Sequence, residues 1–365
     1  ILTTGGYIPG RVIIDVPVNS NYITSLAGRS FKTLVLTSSS HTPTYQVSGG
    51  SNITILDTLL VDATAKLTFS GNSNSVLNLK GNLVVHGEAN FPNRVLFDGS
   101  KNQHVVSNKV DGIGLQYIQI VKPQGSIFLH TNLDIGTDFT FEEGTIQTQE
   151  HLLTIDYSNS PNIQIASPAQ ILGNVKSIIE IGTGEVAIGT ADLIIGPGED
   201  VLGKVEVIRR SGEAATIEHD QTRSIQRNWE IHAQTPLTQP RQLTFMWNEG
   251  EDDDMDLSKM RVWKKTASGE WVALGDFADG TERVISAITH KLTQFTIADA
   301  HNSLPIDLMS FTVTLEKDHA LLRWFTKSEH NNMGFEIEKS SDGKTFYSIG
   351  FVNGQGTSTV LHEYQ

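Results

Sequence analysis

The chain has 365 residues and a formal charge of -14, from 27 Lys and Arg against 41 Asp and Glu. This acidic balance, and the lack of any run of 18 apolar residues, exclude a general affinity for nucleic acids and argue against membrane insertion. There is no cysteine, which excludes disulfide frameworks and thiolate sites. The composition, 38% hydrophobic, 19% charged and rich in glycine, excludes disorder and favours an all-β fold.

Residues 50 to 175 contain short segments in which every second side chain is apolar. This period places one face of a β-strand against a core. Turn signals such as Lys80-Gly81, Asp98-Gly99 and Glu143-Gly144 separate the segments, and no helical period lies between them. The spacing predicts either a β-sandwich or barrel or a solenoid of stacked rungs. Examples are Ile53/Ile55, Leu67/Phe69, Leu77/Leu79, Leu83/Val85, Ile118/Ile120, Leu133/Ile135, Phe139/Phe141, Leu153/Ile155 and Ile163/Ile165.

Beyond about residue 200 the predicted strands become longer and more aromatic, and all five tryptophans lie there. A β-sandwich is predicted from strands at 242–247, 260–264, 270–274, 283–288 and 294–297. Residues 300–305 look like a linker. Further strands follow at 311–315, 320–325, 335–339 and 346–352, with an Asp342-Gly343 hairpin signal. Trp324 alternates with Leu322, so we predict that it packs between the two sheets of this last unit.

Four segments near the end of the chain carry a family resemblance: 304–311 (LPIDLMSF), 322–324 (LRW), 331–340 (NNMGFEIEKS) and 342–346 (DGKTF). Together they resemble the fibronectin type III-like module that precedes the C-terminal sorting domain of type IX secretion cargo in Bacteroidota. The segments 226–231 (QRNWEI) and 271–275 (WVALG) resemble the β-sandwich usually placed before that module. The ladder, with 96–100 (LFDGS), is similar to the β-helical stalks of large surface proteins in the same group.

The resemblance implies a β-solenoid-like stalk over 1–202, a β-sandwich over 203–301 and a fibronectin type III-like module over 304–365. The family pattern continues beyond Tyr364, so we expect this module to be incomplete and the polypeptide to be longer. The implied protein is a non-enzymatic surface or fibre protein for adhesion or scaffolding, exported by type IX secretion. It would lie outside a Gram-negative cell or on its outer membrane.

The expected partners are the type IX secretion machinery, glycans, other cell-surface proteins and further copies of the chain. Two alternatives remain open from the sequence. One is a polysaccharide-active β-helix, a lyase or a glycosidase, and the other is an accessory subunit of a secretion or gliding complex. No catalytic cofactor is expected in the favoured interpretation.

The enzymatic alternative depends on carboxylates in the ladder. Asp134 and Asp138 are four residues apart, with Glu142 and Glu143 beside them. A glycosidase needs two carboxyls about 5 to 10 Å apart. Four residues along a strand span about 13 Å, which only a bulge at Gly136 would shorten.

An acidic loop at residues 250–256 is the candidate metal site. The carboxylates of Glu251, Asp252, Asp254 and Asp256 can surround a hard cation such as Ca²⁺. The loop lacks the D-x-D-x-D-G register, so a hydrated turn is the competing interpretation.

Three weaker patterns complete the sequence analysis. His86, His104, His130 and His151 are spaced so that each can fall on a successive rung, where stacked imidazoles can bind a metal; surface histidines are the commoner explanation. The stretch 198–204 matches G-x-x-x-x-G-K without the following Ser or Thr and is predicted to be a turn. Asp57-Thr58-Leu59 resembles the O-glycosylation motif of Bacteroidota, which makes Thr58 a candidate glycan site.

Overall fold

The computed structural model describes residues 6–15, 21–24, 28–39, 42–48, 52–70, 75–92, 94–159, 162–219, 222–253, 255–276, 278, 282–299, 308–317, 319–327, 329–341, 343, 346–358 and 360–365. About 68% of the chain is strand, and the described part contains no α-helix. Short 3-10 turns occur at Tyr157–Asn159, Gly189–Ala191, Glu213–Ala215 and Leu257–Lys259. The prediction of an all-β fold is confirmed.

The N-terminal half is a β-solenoid of about seven turns. Its strands pair in parallel from turn to turn, and a second parallel sheet covers the first four turns. The spacing in the sequence left a β-sandwich or barrel and a solenoid open, and the parallel stacking identifies a solenoid. The strands are β1 Gly6–Asp15, β2 Asn21–Thr24, β3 Arg29–Thr37, β4 Thr44–Ser48, β5 Ile53–Val61, β6 Lys66–Ser70, β7 Val76–Leu79, β8 Asn82–Val85, β9 Glu88–Asn90, β10 Arg94–Phe97, β11 Gln103–Ser107, β12 Ile113–His130, β13 Leu133–Asp156, β14 Asn162–Ile165 and β15 Gln170–Ile181.

Stacked apolar side chains hold the rungs together. Because inward-facing residues recur at every second position, each rung contributes residues at the same height of the ladder to a continuous core. One column has one apolar residue per rung, and its members are at most 2% exposed except for the half-buried Ile165. The column is Phe31, Ile55, Leu79, Phe97, Ile120, Phe141 and Ile165.

Corners between strand segments are formed in two ways. Glycines form the tight corners between β7 and β8 and between β10 and β11, because a Cβ at Gly81 or Gly99 would overlap the carbonyl of Asp57 or Lys80 in the preceding rung. The later rungs bend within long strands instead. Glu143-Gly144, predicted as a turn, lies inside β13 where its register with β12 shifts.

The solenoid sheet continues without a break into a β-sandwich. The last solenoid strand, β15, pairs antiparallel with β18 over Asn174 to Ile181, and β18 leads into the rest of one sandwich sheet. A four-stranded sheet, in the order β16-β17-β21-β24, faces it. The sandwich strands are β16 Val186–Ile188, β17 Leu193–Ile195, β18 Gly203–Ser211, β19 Glu218–His219, β20 Thr222–Ala233, β21 Arg241–Met246, β22 Met260–Lys265, β23 Trp271–Leu274, β24 Val284–Thr289 and β25 Gln294–Asp299.

The core of the sandwich begins earlier in the chain than the boundary expected at residue 203. Its buried residues extend back to Ile181 and include Leu193 and Ile195 of β17. The physical reason is that β16 and β17 cover the inner face of the sheet that continues from the solenoid, so the sandwich is closed by strands from both sides of residue 203.

The last unit has two small antiparallel sheets. Its strands are β26 Leu308–Glu316, β27 His319–Thr326, β28 Glu329–Ser340, β29 Phe346–Ser358 and β30 His362–Tyr364. The expected linker at 300–305 lies outside the described residues. Trp324 of β27 is 3% exposed, and its ring contacts Phe335 of the other sheet at 5.2 Å and Tyr364 at 5.4 Å between centroids. The prediction that it packs between the sheets is confirmed.

Candidate functional site

A groove on the flank of the solenoid is the best candidate for ligand contact. It has a volume of about 730 Å³ and runs along the corners of successive rungs. We call it the flank groove. It is lined by Tyr7, Lys32, Leu56, Asp57, Lys80, Gly81, Asn82, Asp98, Gly99, Ser100, Lys101 and Asn102.

Stacking of the rungs brings these residues together from four parts of the sequence. Four side chains of the groove each directly follow a member of the buried column. Lys32 follows Phe31, Leu56 follows Ile55, Lys80 follows Leu79, and Asp98 follows Phe97. Since alternate residues point to opposite faces, an inward column residue forces its successor outward, toward the groove.

Charges in the flank groove are only partly compensated. The Lys80 ammonium lies 2.7 Å from the Asp98 carboxylate, and Thr33 donates to Asp57 at 3.1 Å. Lys32 and Lys101 are both exposed, and among the described residues neither has a carboxylate within ion-pair distance. The groove therefore presents two free cations in an acidic chain.

A buried glutamine holds the groove corners from inside. Gln103 is fully buried, and its Nε2 donates to the carbonyls of Leu79 at 2.8 Å and Gly81 at 2.7 Å. Its Oε1 accepts from the Gly99 amide at 3.2 Å. The Gln103 side chain thereby joins the corner loops of two neighbouring rungs. All of these contacts also satisfy the hydrogen-bonding groups of a buried amide.

Lys122 completes this network from the next rung. Its ammonium is buried and donates to the carbonyls of Gly99 and Lys101 and to Gln103 Oε1, the last two at 2.8 and 3.0 Å. Burial lowers the pKa of Lys122 to about 8, against the raising effect of the Asp98 charge. The groove wall is thus fixed by hydrogen bonds before any ligand arrives.

A second cavity of about 590 Å³ lies where the solenoid meets the sandwich. Arg209 in its wall is 2% exposed and donates to the Ile171 carbonyl at 2.8 Å and to Ser211 at 2.6 Å. Tyr157 and Thr190 are joined by a 2.8 Å hydrogen bond across the same junction. These side chains make hydrogen bonds that join the two units.

The acidic loop is held by cations of the protein itself. Arg227 donates to Glu251 at 2.8 Å, and Arg283 donates to Asp252 at 2.6 Å. Trp247 adds a 3.0 Å hydrogen bond to the same Asp252 oxygen. Glu251 and Asp252 are buried, as paired carboxylates can be.

Asp256 of the proposed calcium site does not add to this pair. Asp256 accepts from the Ser258 hydroxyl at 2.6 Å and from the Ser258 amide, and it lies 3.2 Å from Lys259. The Ser258 hydroxyl first, and then Lys259, lower its pKa. Asp254 lies outside the described residues. No group of three potential metal ligands occurs within the described ranges, so calcium binding here stays a prediction.

The structure brings two of the four candidate histidines together. His104 Nδ1 lies 2.9 Å from His130 Nε2 on the next rung, and their rings stack with centroids 5.1 Å apart. His86 and His151 are not part of this pair; His151 lies 3.8 Å from Glu150. The rungs differ in length, so the spacing of the histidines in the sequence does not give their positions on the ladder.

The carboxylates of the enzymatic alternative lie on β13 beside a bulge. The register with β12 shifts around Gly136, where one strand has an extra residue. Asp138 accepts from the Asn162 amide of the following rung at 3.1 Å, and Glu142 accepts from Gln119 at 2.7 Å. The bulge that would shorten the spacing of Asp134 and Asp138 is therefore present. Asp138 and Glu142 serve contacts between rungs, whereas Asp134 and Glu143 accept no hydrogen bond within the described part of the chain.

Two further candidates have defined positions. Thr58 lies in β5, half-buried in the parallel ladder between Thr33 and Asn82, next to Asp57 of the flank groove. Glycosylation at this position stays a prediction. The 198–204 stretch contains the end of the connection from β17 to β18 and the first two residues of β18, so a strand rather than a helix follows the turn, as expected.

A buried carboxylate organises the last unit. Burial works to raise the pKa of Glu329, but hydrogen bonds from Tyr364, the Gln355 amide, Thr326 and Asn332 outweigh it and lower the pKa to about 2. The Gln355, Thr326 and Asn332 contacts measure 2.9, 2.7 and 2.7 Å. Sequence patterns did not indicate this centre, because its members come from four separate strands.

The flank groove also escaped the sequence analysis. The available signal was an outward lysine directly after a buried apolar residue, as in Phe31-Lys32 and Leu79-Lys80. That signal becomes visible only once the rung register is known.

Comparisons with protein-family models, with curated proteins and with solved structures find no match for this chain. None of the helices in the described part of the chain has the length and hydropathy needed to span a membrane.

Proposed function

We propose that this protein is an extracellular, non-enzymatic surface or fibre protein that acts in adhesion or scaffolding. The observation that carries the proposal is the unbroken sheet that runs from the solenoid into the sandwich through β15 and β18. A continuous sheet with two closed cores makes a stiff rod without disulfides. Such a rod suits a protein that holds other molecules at a distance from a surface.

The outer faces of the rod support the same proposal. Polar side chains alternate with the buried column along each rung, so similar contact surfaces recur along the axis. Weak contacts that recur on one rigid body reinforce one another by multivalency. Adhesion of this kind needs no catalytic residue.

Export by type IX secretion, and a place outside the cell or on its outer membrane, remain part of this proposal. The support is the resemblance of the last unit and its sandwich to secretion cargo. In a producing strain, protease treatment of intact cells should remove the protein, and deletion of the type IX translocon should leave it inside. A protein that resists surface protease in the wild type would contradict this localisation.

The adhesive function is tested with the whole chain on microspheres. We expect the coated spheres to stay on polysaccharide-coated surfaces under flow, and spheres coated with heat-unfolded chain to wash off. Equal retention of folded and unfolded chain would contradict adhesion by the folded rod.

The enzymatic alternative is tested on the same preparation. Incubation with neutral and uronate-containing polysaccharides, with and without Ca²⁺, should release no reducing ends or unsaturated products. Product release that disappears in Asp134→Asn would replace the structural function with a catalytic one.

A further inference from the structure

We propose that the flank groove binds an extended polysaccharide that carries anionic groups, carboxylates above all, lying along the axis of the solenoid. The inference rests on the proposed adhesive function and names the ligand class that the groove recognises.

Three lysines are placed at intervals along the groove. Lys32 belongs to the rung of β3, Lys80 to the rung of β7 and β8, and Lys101 to the rung of β10 and β11. Neighbouring strands of a sheet lie about 4.8 Å apart, so the three steps from Lys32 to Lys101 cover about 14 Å of axis. A polymer with repeated negative charges can meet lysines spread over that length, whereas a single small anion can meet only one end.

Among the described residues, only the middle lysine of this row has its charge compensated by a carboxylate, and the charges of the lysines at its two ends are not compensated. Asp98 pairs with Lys80 in the middle, while Lys32 and Lys101 have no carboxylate partner within the described part of the chain. The chain as a whole carries a charge of -14, so two unpaired lysines in one groove stand against the general field. An anionic ligand supplies the missing partners.

Polar groups between the lysines suit the rest of a sugar. The side-chain oxygens of Asn82 and Asn102 accept hydrogen bonds from the backbone amides of His104 and Ser126, at 2.9 and 3.0 Å. This fixes both side chains in the groove wall. Their amide nitrogens have no acceptor among the hydrogen bonds of the described residues and remain free to donate to a carboxylate or a hydroxyl.

Apolar and acidic side chains favour a polysaccharide over a nucleic acid. Tyr7 is 55% exposed and Leu56 is 38% exposed, and both offer surface for the apolar face of a sugar ring. Asp57 and Asp98 can accept hydrogen bonds from the hydroxyl groups that a polysaccharide carries on every ring.

Binding of the whole chain to immobilised polygalacturonate tests the proposal. We expect Lys32→Glu/Lys101→Glu to weaken binding by about tenfold, because two exposed attractive contacts are lost and replaced by repulsion. The matched control is Lys109→Glu, which makes the same change at an exposed lysine outside the groove and should alter binding less than about twofold. Lys32→Arg/Lys101→Arg should keep the affinity, and circular dichroism should show the same strand signal for all variants.

Further ligands separate the possible outcomes. Weaker binding to dextran sulfate than to polygalacturonate would support carboxylate as the preferred group, and the reverse would overturn that preference. Binding of polygalacturonate that survives the double substitution, or tighter lysine-dependent binding of single-stranded RNA, would overturn it. Equal binding of neutral dextran by all variants would overturn the ligand class and leave adhesion standing. Lysine-dependent binding followed by cleavage would keep the groove and overturn the non-enzymatic function.

Discussion

Replacing Arg227 by methionine should destabilise the sandwich strongly. The Arg227 guanidinium is 1% exposed and contacts Glu251 at 2.8 Å, Asp192 at 2.6 Å and the Met246 carbonyl at 3.1 Å. Removing one partner of a buried ion pair leaves an unpaired buried charge, which costs about 3 to 5 kcal/mol. With a urea m-value near 2 kcal/mol/M, the unfolding midpoint should fall by about 2 M.

Tryptophan fluorescence can measure this change in the sandwich alone. Four of the five tryptophans lie in the sandwich strands or directly beside them and none lies in the solenoid, so a Trp324→Phe background removes the remaining signal. Glu251→Gln added to Arg227→Met should recover part of the loss, because it removes the charge left unpaired. Arg223→Met, at an arginine 39% exposed and paired at the surface with Glu213 and Asp253, should cost about 1 kcal/mol.

The reasoning would be refuted if Arg227→Met moved the midpoint no further than Arg223→Met. Equal midpoints would mean that the Glu251 carboxylate finds water or another cation when the guanidinium is gone. A large rise in the midpoint on adding Ca²⁺ to Arg227→Met would show that the acidic loop can exchange its arginine for a metal ion.

Four further results are expected. Trp324→Ala should cost the last unit about 3 to 5 kcal/mol and leave the circular dichroism melt of the solenoid unchanged; an unmoved last-unit transition would contradict its burial. Glu329 stabilises the last unit above its unfolded pKa of about 4.5, so acid titration followed by Trp324 fluorescence should show about 3 kcal/mol lost as the pH falls toward 2, and no such loss in Glu329→Gln. Gly81→Ala should lower the solenoid melting temperature by the equivalent of about 1 to 3 kcal/mol, whereas Gly114→Ala, with open space around its Cβ, should leave it nearly unchanged. Mass spectrometry of the protein from a Bacteroidota host should find a glycan that Thr58→Ala removes; an unmodified Thr58 peptide would contradict the motif.

The local part of the fold could be predicted from the sequence because it depends on period alone. The alternation of Leu133 with Ile135 and of Phe139 with Phe141 predicted inward faces, and all four side chains are at most 3% exposed. The period says nothing about which strand pairs with which. That pairing depends on corner geometry, which is set by contacts between distant residues.

The rung length shows why the candidate site was not predictable. Phe31 pairs with Ile55, 24 residues later, but Leu79 pairs with Phe97 after only 18 residues. Because the rungs differ in length, the sequence shows no regular repeat. Without the repeat, the lysines that follow column residues cannot be recognised as lying in one groove. The acidic loop attracted attention because its carboxylates are adjacent in sequence, yet the arginines that pair with them come from β20 and the loop before β24.

The shared sheet also determines where the chain can be cut. A fragment that ends before β18 would leave β15 with eight residues, Asn174 to Ile181, without their antiparallel partner. An exposed strand edge of that length is a template for pairing with other chains and for aggregation. The same cut would remove the strands that cover the buried side chains of β16 and β17 and would expose those side chains to solvent. Soluble pieces of this protein should therefore be sought by keeping solenoid and sandwich together and removing only the last unit.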